Sequence, residues 1–489
     1  MRVPSSTKSH VAVIGGGLGG MTAAGELARA GHAVTLFERS QVLGGKAEAI
    51  SRDGLTLDTG PTLLTLPQVV REGFVRLGAE DLLPRFFELE HHCAYHYADQ
   101  RRFDAWKDLD RSAASAEALG AGEGDALRAF FRDAEAIHRA AGEPYLEAPL
   151  DGTVDYLVRV GRRGLAGLLR GARMGTLADL GAHHFKSPEL RQFVGRFATY
   201  AGASPWEASA AFALIPHLER AFGVHHVEGG MGALARALGK AVKRLGVNVQ
   251  LGQAASWRAD HQGFVAGPDG GEGHFDAVVV NADPLVSLGR TREPLALSGY
   301  VLLLSVDRRA PLPHHAVAFA ADYRREFDEL FAGRVPEDPT FYVCHPVASD
   351  PSMAPANRSG LFVMVNAAAL QGSDLAAHAQ AWEGISARLR EQCIAAVRRV
   401  CPDLATARLD VVGERTPVDF ARGGAPGGSI YGFLPHGRLG PFRRPRIRSA
   451  TPGLFYSGGG THPGGGVPMV MLSGRFAAEL ATRHLGAAA

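Results

Sequence analysis

A cluster of glycines near the amino terminus is the first feature that indicates chemistry. Residues 15–20 have the sequence GGGLGG and stand between a short apolar segment, HVAVI, and an alanine-rich segment. In a strand, turn and helix of this kind, Gly15 permits the tight turn, Gly17 lets a pyrophosphate approach the backbone, and Gly20 lets the helix pack on the strand. Leu18 lies at the start of the predicted helix, whose N-terminus attracts anions. The pattern predicts a dinucleotide site; a simple tight turn in an α/β sheet is the alternative.

A carboxylate stands where such a site needs one. The apolar segment AVTLFE ends in Glu38, 23 residues after Gly15, and Arg39 follows it. A carboxylate here accepts hydrogen bonds from both ribose hydroxyls, which favours FAD or NAD over NADP. We include Glu38 and Arg39 in the predicted cofactor site.

Two further loops favour FAD over NAD. Gly45 and Lys46 belong to a second glycine turn, LGGK, which can close over the pyrophosphate. Gly60, Pro61 and Thr62 belong to the segment LDTGPT, which can reach the flavin ring. Nicotinamide-binding domains have no need of these loops, so we predict that the cofactor is FAD.

The strand, loop and helix pattern returns at the carboxyl-terminal end. The segment LFYS at 454–457 runs into GGGTHPGGGVP and a predicted helix at 469–480. A helix N-terminus here would stabilise the negative charge at N1 and O2 of a reduced flavin. The site residues predicted in this loop are Gly459, His462, Gly466, Val467 and Pro468.

The elements that must position these residues are spread along the chain. Predicted strands at 246–250 and 276–280 add Val249 and Asn281 to the site. We predict an α/β fold with a discontinuous Rossmann-like FAD-binding domain, a mixed-sheet substrate domain and a helical region. Their predicted extents are 8–88, 222–292 and 427–486 for the first, 89–110 and 293–426 for the second, and 111–221 for the third.

Composition excludes several classes of protein. The chain has 489 residues and a formal net charge of +2, which gives no reason to expect nucleic acid binding. Four cysteines without paired spacing indicate neither a metal site nor a disulfide framework. No segment suits a signal peptide or a spanning helix. We therefore expect a protein that is soluble or lies on a membrane surface.

Taken together, these motifs and two longer segments resemble the bacterial carotenoid desaturases. The segments are EGGMGALARAL at 228–238 and the block at 187–224 that contains RQFVGRFATYAGASPWEASAAFALIPHLERAFGV. The resemblance implies an amine-oxidase-like flavoprotein fold, FAD, a long polyene substrate, and a quinone or oxygen as electron acceptor. The ending HPGGGVPMVMLSG and the segment GVHHVEGGMGALARAL look closest to 1-hydroxycarotenoid 3,4-desaturases, also called methoxyneurosporene dehydrogenases. His225 and His226 stand where many phytoene desaturases have aromatic residues.

The chemistry of desaturation leaves the catalytic residues open. Flavin takes the hydride, and the remaining cation is delocalised along the polyene, so a weak base or water suffices for the proton. His226 is the candidate proton acceptor because it directly precedes the EGG motif. A histidine that only packs in the core is the alternative.

A substrate of this kind dissolves in bilayers, so we expect a cytoplasmic protein associated peripherally with the inner face of the membrane. The segment 156–175 interleaves five arginines with apolar residues, as an interfacial helix or a solvated basic helix would. The arginines at 438, 443, 444, 446 and 448 are predicted to form a solvated loop, since Pro441 and Pro445 interrupt any helix.

Other functions fit parts of the same pattern. Phytoene desaturases, carotene isomerases that use reduced flavin, and other oxidases of the amine-oxidase fold share the amino-terminal motifs. Non-enzymatic carriers of prenyl lipids also resemble this fold. The complete HPGGGVP loop at 462–468 favours a flavoenzyme over a carrier.

Overall fold

The computed structural model of the chain describes residues 8–150, 158, 159, 161, 175–261, 263–268, 271, 273–289, 293–437 and 440–488. Its strands, numbered β1 to β19 in chain order, are His10–Ile14, Ala33–Glu38, Ala49–Arg52, Leu55–Asp58, Phe86–Glu88, His91–His96, Arg102–Trp106, His225–Val227, Asn248–Leu251, Ala255–Asp260, Gly263–Pro268, Gly273–Phe275, Ala277–Val280, Ser298–Val306, His315–Ala318, Phe341–Cys344, Ser359–Ala367, Leu409–Arg415 and Leu454–Tyr456. The α-helices are Leu18–Arg29, Pro67–Arg76, Leu109–Glu117, Glu123–Ile137, Glu143–Leu146, Leu177–His184, Pro188–Arg196, Leu214–Phe222, Gly230–Arg244, Pro284–Ser287, Tyr323–Phe331, Leu375–Val400, Pro417–Arg422 and Val467–Ala488.

Five strands form a parallel sheet in the order β19-β13-β1-β2-β9. Their short apolar runs suit a sheet that is covered on both faces, and residues 11–13 of β1 are completely buried. Helix Leu18–Arg29 crosses from β1 to β2, as a parallel pair requires. The five strands all come from the three segments predicted for the FAD-binding domain, whose exact boundaries stay a prediction.

The loops of the predicted site follow these strands at one edge of the parallel sheet. Gly15 follows β1, Asn281 follows β13 and Ser457 follows β19, while Glu38 is the last residue of β2. Because the strands run parallel, their carboxyl ends meet at this edge, where α/β sheets bind ligands. Sequence segments more than 400 residues apart are brought together in this way.

Seven strands form a second, mixed sheet in the order β18-β14-β17-β16-β15-β6-β7, in which only β15 and β6 pair in parallel. Strand β14 is buried along its whole length, and its side chains alternate between two cores. Tyr300 and Leu302 pack toward helix Leu375–Val400, whereas Val301 and Leu303 pack with Leu57, the first residue of the LDTGPT segment. One face of the mixed sheet therefore points toward the predicted flavin site.

A helical layer covers the β6 and β7 end of the mixed sheet. Its core joins phenylalanines of Glu123–Ile137 and Pro188–Arg196 to Tyr95 and Phe103 of the sheet. Most of the 156–175 segment predicted to meet the membrane lies outside the described residues. No helix among the residues that the structure describes is long and apolar enough to cross a bilayer.

Candidate functional site

The first two glycine turns lie against each other. Gly15 has a φ of +104°, which favours glycine, and a Cβ added at Gly20 would lie 2.0 Å from the Gly15 carbonyl oxygen. Gly17 pairs with Gly44 through a backbone bridge, and Gly44 N donates to Gly16 O at 3.0 Å. The two turns therefore form one surface of backbone groups that a phosphate can approach closely.

Asn281 joins this surface to the carboxyl-terminal loop. Its Nδ2 donates to Gly15 O at 3.2 Å, and its Oδ1 accepts from Ser457 Oγ at 3.1 Å. A Cβ added at Gly17 would lie 3.0 Å from Asn281 Nδ2, so the Asn281 amide would have to shift to admit any larger residue. Asn281 is predicted as a cofactor residue, and in the structure its side chain links the ends of two strands.

Glu38 and Arg39 point in different directions. The Glu38 carboxylate is nearly buried and accepts from Gly16 N at 2.6 Å and from Ser40 N at 2.8 Å. It therefore lies directly beside the first glycine turn, where the ribose acceptor was predicted. Arg39 is exposed and donates to Gly423 O. Val249 is half-buried in β9, at the edge of the parallel sheet, and pairs with Leu36.

The Lys46 side chain is exposed, although many protein atoms surround it. Its Nζ donates to Ile430 O at 2.7 Å. Burial lowers the pKa of Lys46, and nearby Asp283 partly opposes this shift. Lys46 thus reaches a loop at 429–432 that the sequence did not single out.

The third loop, residues 60–62, lies next to the second glycine turn. A Cβ added at Gly60 would lie 1.9 Å from the Lys46 carbonyl oxygen, so this loop packs directly on the second glycine turn. Pro61 and Thr62 are half-buried. The hydroxyl of Thr62 lies 2.6 Å from the hydroxyl of Tyr342 in β16, which connects the FAD-binding segments to the mixed sheet.

The carboxyl-terminal loop ends in a helix, as predicted. Val467 and Pro468 are the first two residues of Val467–Ala488, and Gly466 is exposed directly before them. Because Gly474 packs on Gly19, with a would-be Cβ 2.1 Å from the Gly19 carbonyl oxygen, this helix runs against Leu18–Arg29. His462 is buried, contacts Tyr145 edge-on at 4.6 Å and approaches Ala148 O at 3.2 Å.

Arg444 corrects one prediction. It does not belong to a solvated loop: its Nη1 donates to Gly459 O at 2.7 Å, and its guanidinium lies deep in the protein near Asp283. Burial lowers the pKa of Arg444. The loop sequence gave no sign of this, because the contact depends on how 440–448 folds back over 459–464.

Asp58 is a further residue that sequence reasoning left out, although it stands in the LDTGPT motif. Its buried carboxylate accepts from Met231 N at 2.9 Å and Gly232 N at 3.0 Å, at the start of helix Gly230–Arg244. Burial raises the pKa of Asp58 to about 6, against the effect of these two donors. The acid holds the EGG segment against the third loop.

His226 belongs to a row of buried histidines. Its Nε2 lies 3.4 Å from Asp350 Oδ2, and its ring lies 4.9 Å from that of His314. His314 contacts His315 at 4.5 Å between ring centroids, and His315 Nδ1 lies 2.8 Å from the Tyr342 hydroxyl. His226 thus reaches the Thr62 loop only through other side chains.

The same row contains the group that could hold a metal ion among the described residues. His314, His315 and Cys344 bring one ligand atom each within 4.8 Å of one another, and all three are buried. The Nδ1 atoms of the two histidines already have partners, Ser349 and Tyr342 respectively. The sequence indicated no metal site.

These residues fit FAD. Three glycine-containing loops contact one another in sequence from Gly15 to Thr62, and at Gly20 and Gly60 a Cβ would collide with backbone. The first turn of Leu18–Arg29 packs against Val467–Ala488 through Gly19 and Gly474, and Lys46 of the second turn donates to Ile430 O. Backbone donors, two helix ends and one carboxylate match a pyrophosphate, a ribose and an elongated cofactor.

The comparisons with known proteins agree with this site. The family model described as flavin containing amine oxidoreductase matches residues 18–482. The chain is 34% identical to a phytoene dehydrogenase of Streptomyces griseus over 97% of this chain and 95% of that protein. It is 32% identical to a hydroxyneurosporene desaturase of Rubrivivax gelatinosus over 97% of this chain and 94% of that protein.

The fold is similar to that of a redesigned putrescine oxidase, with a TM-score of 0.65 at 16% identity over 98% of this chain and 99% of the other. This likeness confirms the predicted amine-oxidase-like flavoprotein fold. The glycine turns, the carboxylate at Glu38 and the sequence relatives agree on the cofactor, FAD. The chain belongs to the flavin containing amine oxidoreductase family, among its carotenoid desaturases, and is an FAD-dependent oxidoreductase.

Proposed function

We propose that this enzyme desaturates a long polyene of the carotenoid type, and specifically the 3,4 bond of a 1-hydroxycarotenoid. The observation that carries the proposal is an aromatic wall formed by Tyr200, Tyr342 and Tyr431. These three side chains lie deep in the protein, and each retains accessible surface, as the lining of an internal cavity does. Apolar and aromatic linings suit a hydrocarbon ligand.

The aromatic wall adjoins the flavin loops. Tyr342 touches Thr62, and the Tyr431 ring lies 3.6 Å from the position of a Cβ added at Gly465. Met364 of β17 is half-buried in the core that contains Tyr342. A polyene lying along this wall has its reacting carbons near the loops predicted to hold the ring.

The charge of the wall argues against an amine substrate. Its cation is Arg196, whose Cζ lies 5.2 Å from the Tyr200 ring and 6.0 Å from the Tyr342 ring. An ammonium group would be repelled there, whereas an uncharged polyene is not. This observation favours a desaturase over an amine oxidase of the same fold.

Desaturation removes a hydride and a proton from neighbouring carbons. When bound, FAD supplies the hydride acceptor at N5 of its ring. The proton has a route through the chain's own residues, because the Tyr342 hydroxyl lies between Thr62 Oγ1 and His315 Nδ1. Burial, together with the charge of Arg196, lowers the pKa of His315 well below its ordinary value. His315 is therefore neutral at neutral pH and is a weak base, which suffices because the delocalised cation left by hydride loss is a strong acid.

His226 takes a different place in this proposal from the one its sequence position suggested. It stands at the far end of the histidine row, beside Asp350, rather than next to Tyr342. We propose that Tyr342 and His315 receive the proton first. His226 and Asp350 then form the other end of the row, where Asp350 accepts a hydrogen bond from Gly229 N of the EGG segment.

The choice of substrate within the family rests on sequence motifs. The relatives include both a phytoene dehydrogenase and a hydroxyneurosporene desaturase at almost equal identity, so identity does not favour either substrate. The HPGGGVPMVMLSG ending and the GVHHVEGG segment favour the hydroxylated one. We also propose a quinone or oxygen as electron acceptor and peripheral binding to the inner face of the membrane, both by analogy with the family.

Coexpression with pathways that supply either phytoene or a 1-hydroxycarotenoid tests the proposal, with pigment absorption and product mass as the readouts. We expect a red shift and the loss of two hydrogen atoms with the hydroxylated substrate alone. Conversion of phytoene would move the enzyme to the first desaturation steps. A changed spectrum at constant mass would indicate an isomerase, and a colourless purified protein would indicate a carrier.

A further inference from the structure

Arg196 places a permanent positive charge in the aromatic wall. It is the last residue of helix Pro188–Arg196, and it lies deep in the protein with part of its side chain accessible. Its Cζ lies within 6.0 Å of the ring centroids of four aromatic residues: Tyr95, Phe197, Tyr200 and Tyr342. Such stacking holds the guanidinium in one orientation.

Only one of the guanidinium nitrogens of Arg196 has hydrogen-bond partners among the described residues. Nη1 donates to the hydroxyls of Tyr95 and Tyr200, both at 3.3 Å. Tyr200 in turn donates to the buried carboxylate of Glu219. Glu219 therefore holds Tyr200 in place beside Arg196, while Nε and Nη2 of Arg196 remain as donors without a partner among the described residues.

Two tyrosines connect Arg196 to the predicted flavin loops, one on each side. Tyr342, beneath the cation, contacts Thr62 of the third loop. Tyr431 lies beside Gly202, shortly after Arg196 in the chain, and packs against Gly465 of the carboxyl-terminal loop. The free donors of Arg196 thus open into the space beside the predicted ring position.

Among the described residues of the aromatic wall, the cation with free donors is Arg196. An otherwise apolar molecule that carries one oxygen fits such a wall. A hydrocarbon would leave these donors without water and without a partner, which disfavours its binding. A hydroxyl oxygen accepts from them and removes that cost. Sites that hydrogen-bond a substrate hydroxyl reject the analogue that lacks it far more strongly than apolar pockets reject a missing methylene.

We propose that Arg196, oriented by Tyr200 and Glu219, binds the hydroxyl oxygen of the substrate and so selects polyenes that are hydroxylated next to the reacting bond. This inference rests on the proposed function and names the residue that would determine its substrate. The geometry agrees with it, because an oxygen on C1 is only a few bonds of about 1.5 Å each from C3 and C4. The group that binds this oxygen must therefore lie near the loops predicted to hold the flavin, and Arg196 adjoins them through Tyr342.

The test uses the purified, FAD-loaded full-length enzyme without air. Bleaching of the flavin absorption is followed after mixing with a 1-hydroxylated acyclic carotenoid or with the same carotene lacking the hydroxyl, both in liposomes. We expect the wild type to prefer the hydroxylated substrate by about tenfold or more in kcat/KM. Arg196→Met should reduce this preference to within about threefold while FAD content is unchanged.

Two further variants keep the test decisive. If Arg196→Met loses its flavin, Tyr200→Phe and Glu219→Gln retain the cation but remove its support, and both should weaken the preference in part. Arg324→Met is the matched control, because this exposed arginine also stacks on an aromatic ring, 4.8 Å from the centroid of Trp206. It should leave the preference unchanged.

The possible outcomes distinguish hydroxyl recognition by Arg196 from the desaturase activity itself. An equal slowing of both substrates by Arg196→Met would overturn hydroxyl recognition and assign the arginine a general role. A wild type that bleaches equally with both substrates would overturn the inference but leave a desaturase. A wild type whose flavin neither substrate reduces would overturn both.

Discussion

The edge of the parallel sheet where the glycine turns follow the strands, here called the nucleotide edge, differs from the aromatic wall in the atoms that form its surface. At the nucleotide edge, backbone atoms form the surface, and glycines are required because side chains would collide, as at Gly20 and Gly60. At the aromatic wall, side chains form the surface, and Arg196, Tyr342 and Tyr431 come from three distant segments. The first region fixes a cofactor that many enzymes share, whereas the second can change with the substrate.

This difference predicts how each region responds to mutation. The nucleotide edge should fail completely when one Cβ is added, and the flavin should be lost with it. The aromatic wall should keep its flavin and lose rate or selectivity instead.

The largest effect is expected from Gly20→Ala. The new Cβ would lie 2.0 Å from the Gly15 carbonyl oxygen, so the helix must move away from the strand and the phosphate turn must open. We expect a protein without bound FAD, which absorption of the purified protein measures directly. Gly384→Ala is the control: no atom lies within 4 Å of its Cβ in helix Leu375–Val400, and helix propensity favours alanine by up to about 1 kcal/mol. Full flavin content in Gly20→Ala would contradict the backbone account.

Tyr342→Phe should leave FAD content unchanged and slow flavin reduction by about ten- to a hundredfold, because the hydroxyl between Thr62 and His315 is lost. Stopped-flow bleaching of the flavin measures the rate. Tyr323→Phe, in a ring cluster with Phe319 and Phe327, should be close to wild type. If Tyr342→Phe lost its flavin but not its rate per bound flavin, Tyr342 would belong to the cofactor site alone.

Asn281→Ala tests whether a side chain also contributes to the nucleotide edge, whose surface is otherwise formed by backbone atoms. Loss of its bonds to Gly15 O and Ser457 Oγ should destabilise the protein by about 1–2 kcal/mol and weaken FAD binding about tenfold. Fluorescence titration of the apoprotein with FAD measures the affinity. The exposed Asn357→Ala should match the wild type, and equal affinities in both variants would refute the linking role of Asn281.

The smallest expected effect is a pH dependence of stability, and it concerns a buried carboxyl in the predicted substrate domain. Burial raises the pKa of Glu326 from 4.5 to about 7, although Thr340 donates to both carboxylate oxygens. Because the folded pKa lies above the unfolded one, the stabilisation from Glu326 is complete below about pH 4.5 and is lost as pH rises through 7.

Glu326→Gln removes this dependence. At pH 8 the variant should be more stable than the wild type by about 1–2 kcal/mol, within the roughly 3 kcal/mol that such a shift allows. The difference should disappear near pH 5. Thermal unfolding at both pH values measures it, with exposed Asp328→Asn as the control. A variant less stable than the wild type at pH 8 would show that the buried carboxylate is favourable when charged.

The part of the site that could be predicted corresponds to the nucleotide edge. Turns that need glycine and a ribose that needs a carboxylate impose fixed residue types at fixed spacings, so Gly15, Gly20 and Glu38 could be identified from the sequence. Pro468 could be placed at a helix start for the same kind of local reason. His226 was selected only because it lies near a motif, and the structure puts other side chains between it and Thr62.

The aromatic wall could not be predicted, because nothing in its local sequence distinguishes it. Arg196 ends an ordinary amphipathic helix, and Tyr342 lies in an ordinary buried strand. Arg444 stands among arginines that looked solvated. Each acquires its role from a contact with a residue far away in the chain.

The sequence by itself determined the cofactor, the α/β class and the family, since these depend on local backbone geometry that only certain residues permit. The tertiary structure alone decided which side chains face the space beside the flavin. The pairing of β16 with β15 brings Tyr342 to His315, and the packing of helix Pro188–Arg196 brings a cation to the same wall. Long-range packing of this kind is set by the whole core, and so no single segment encodes it.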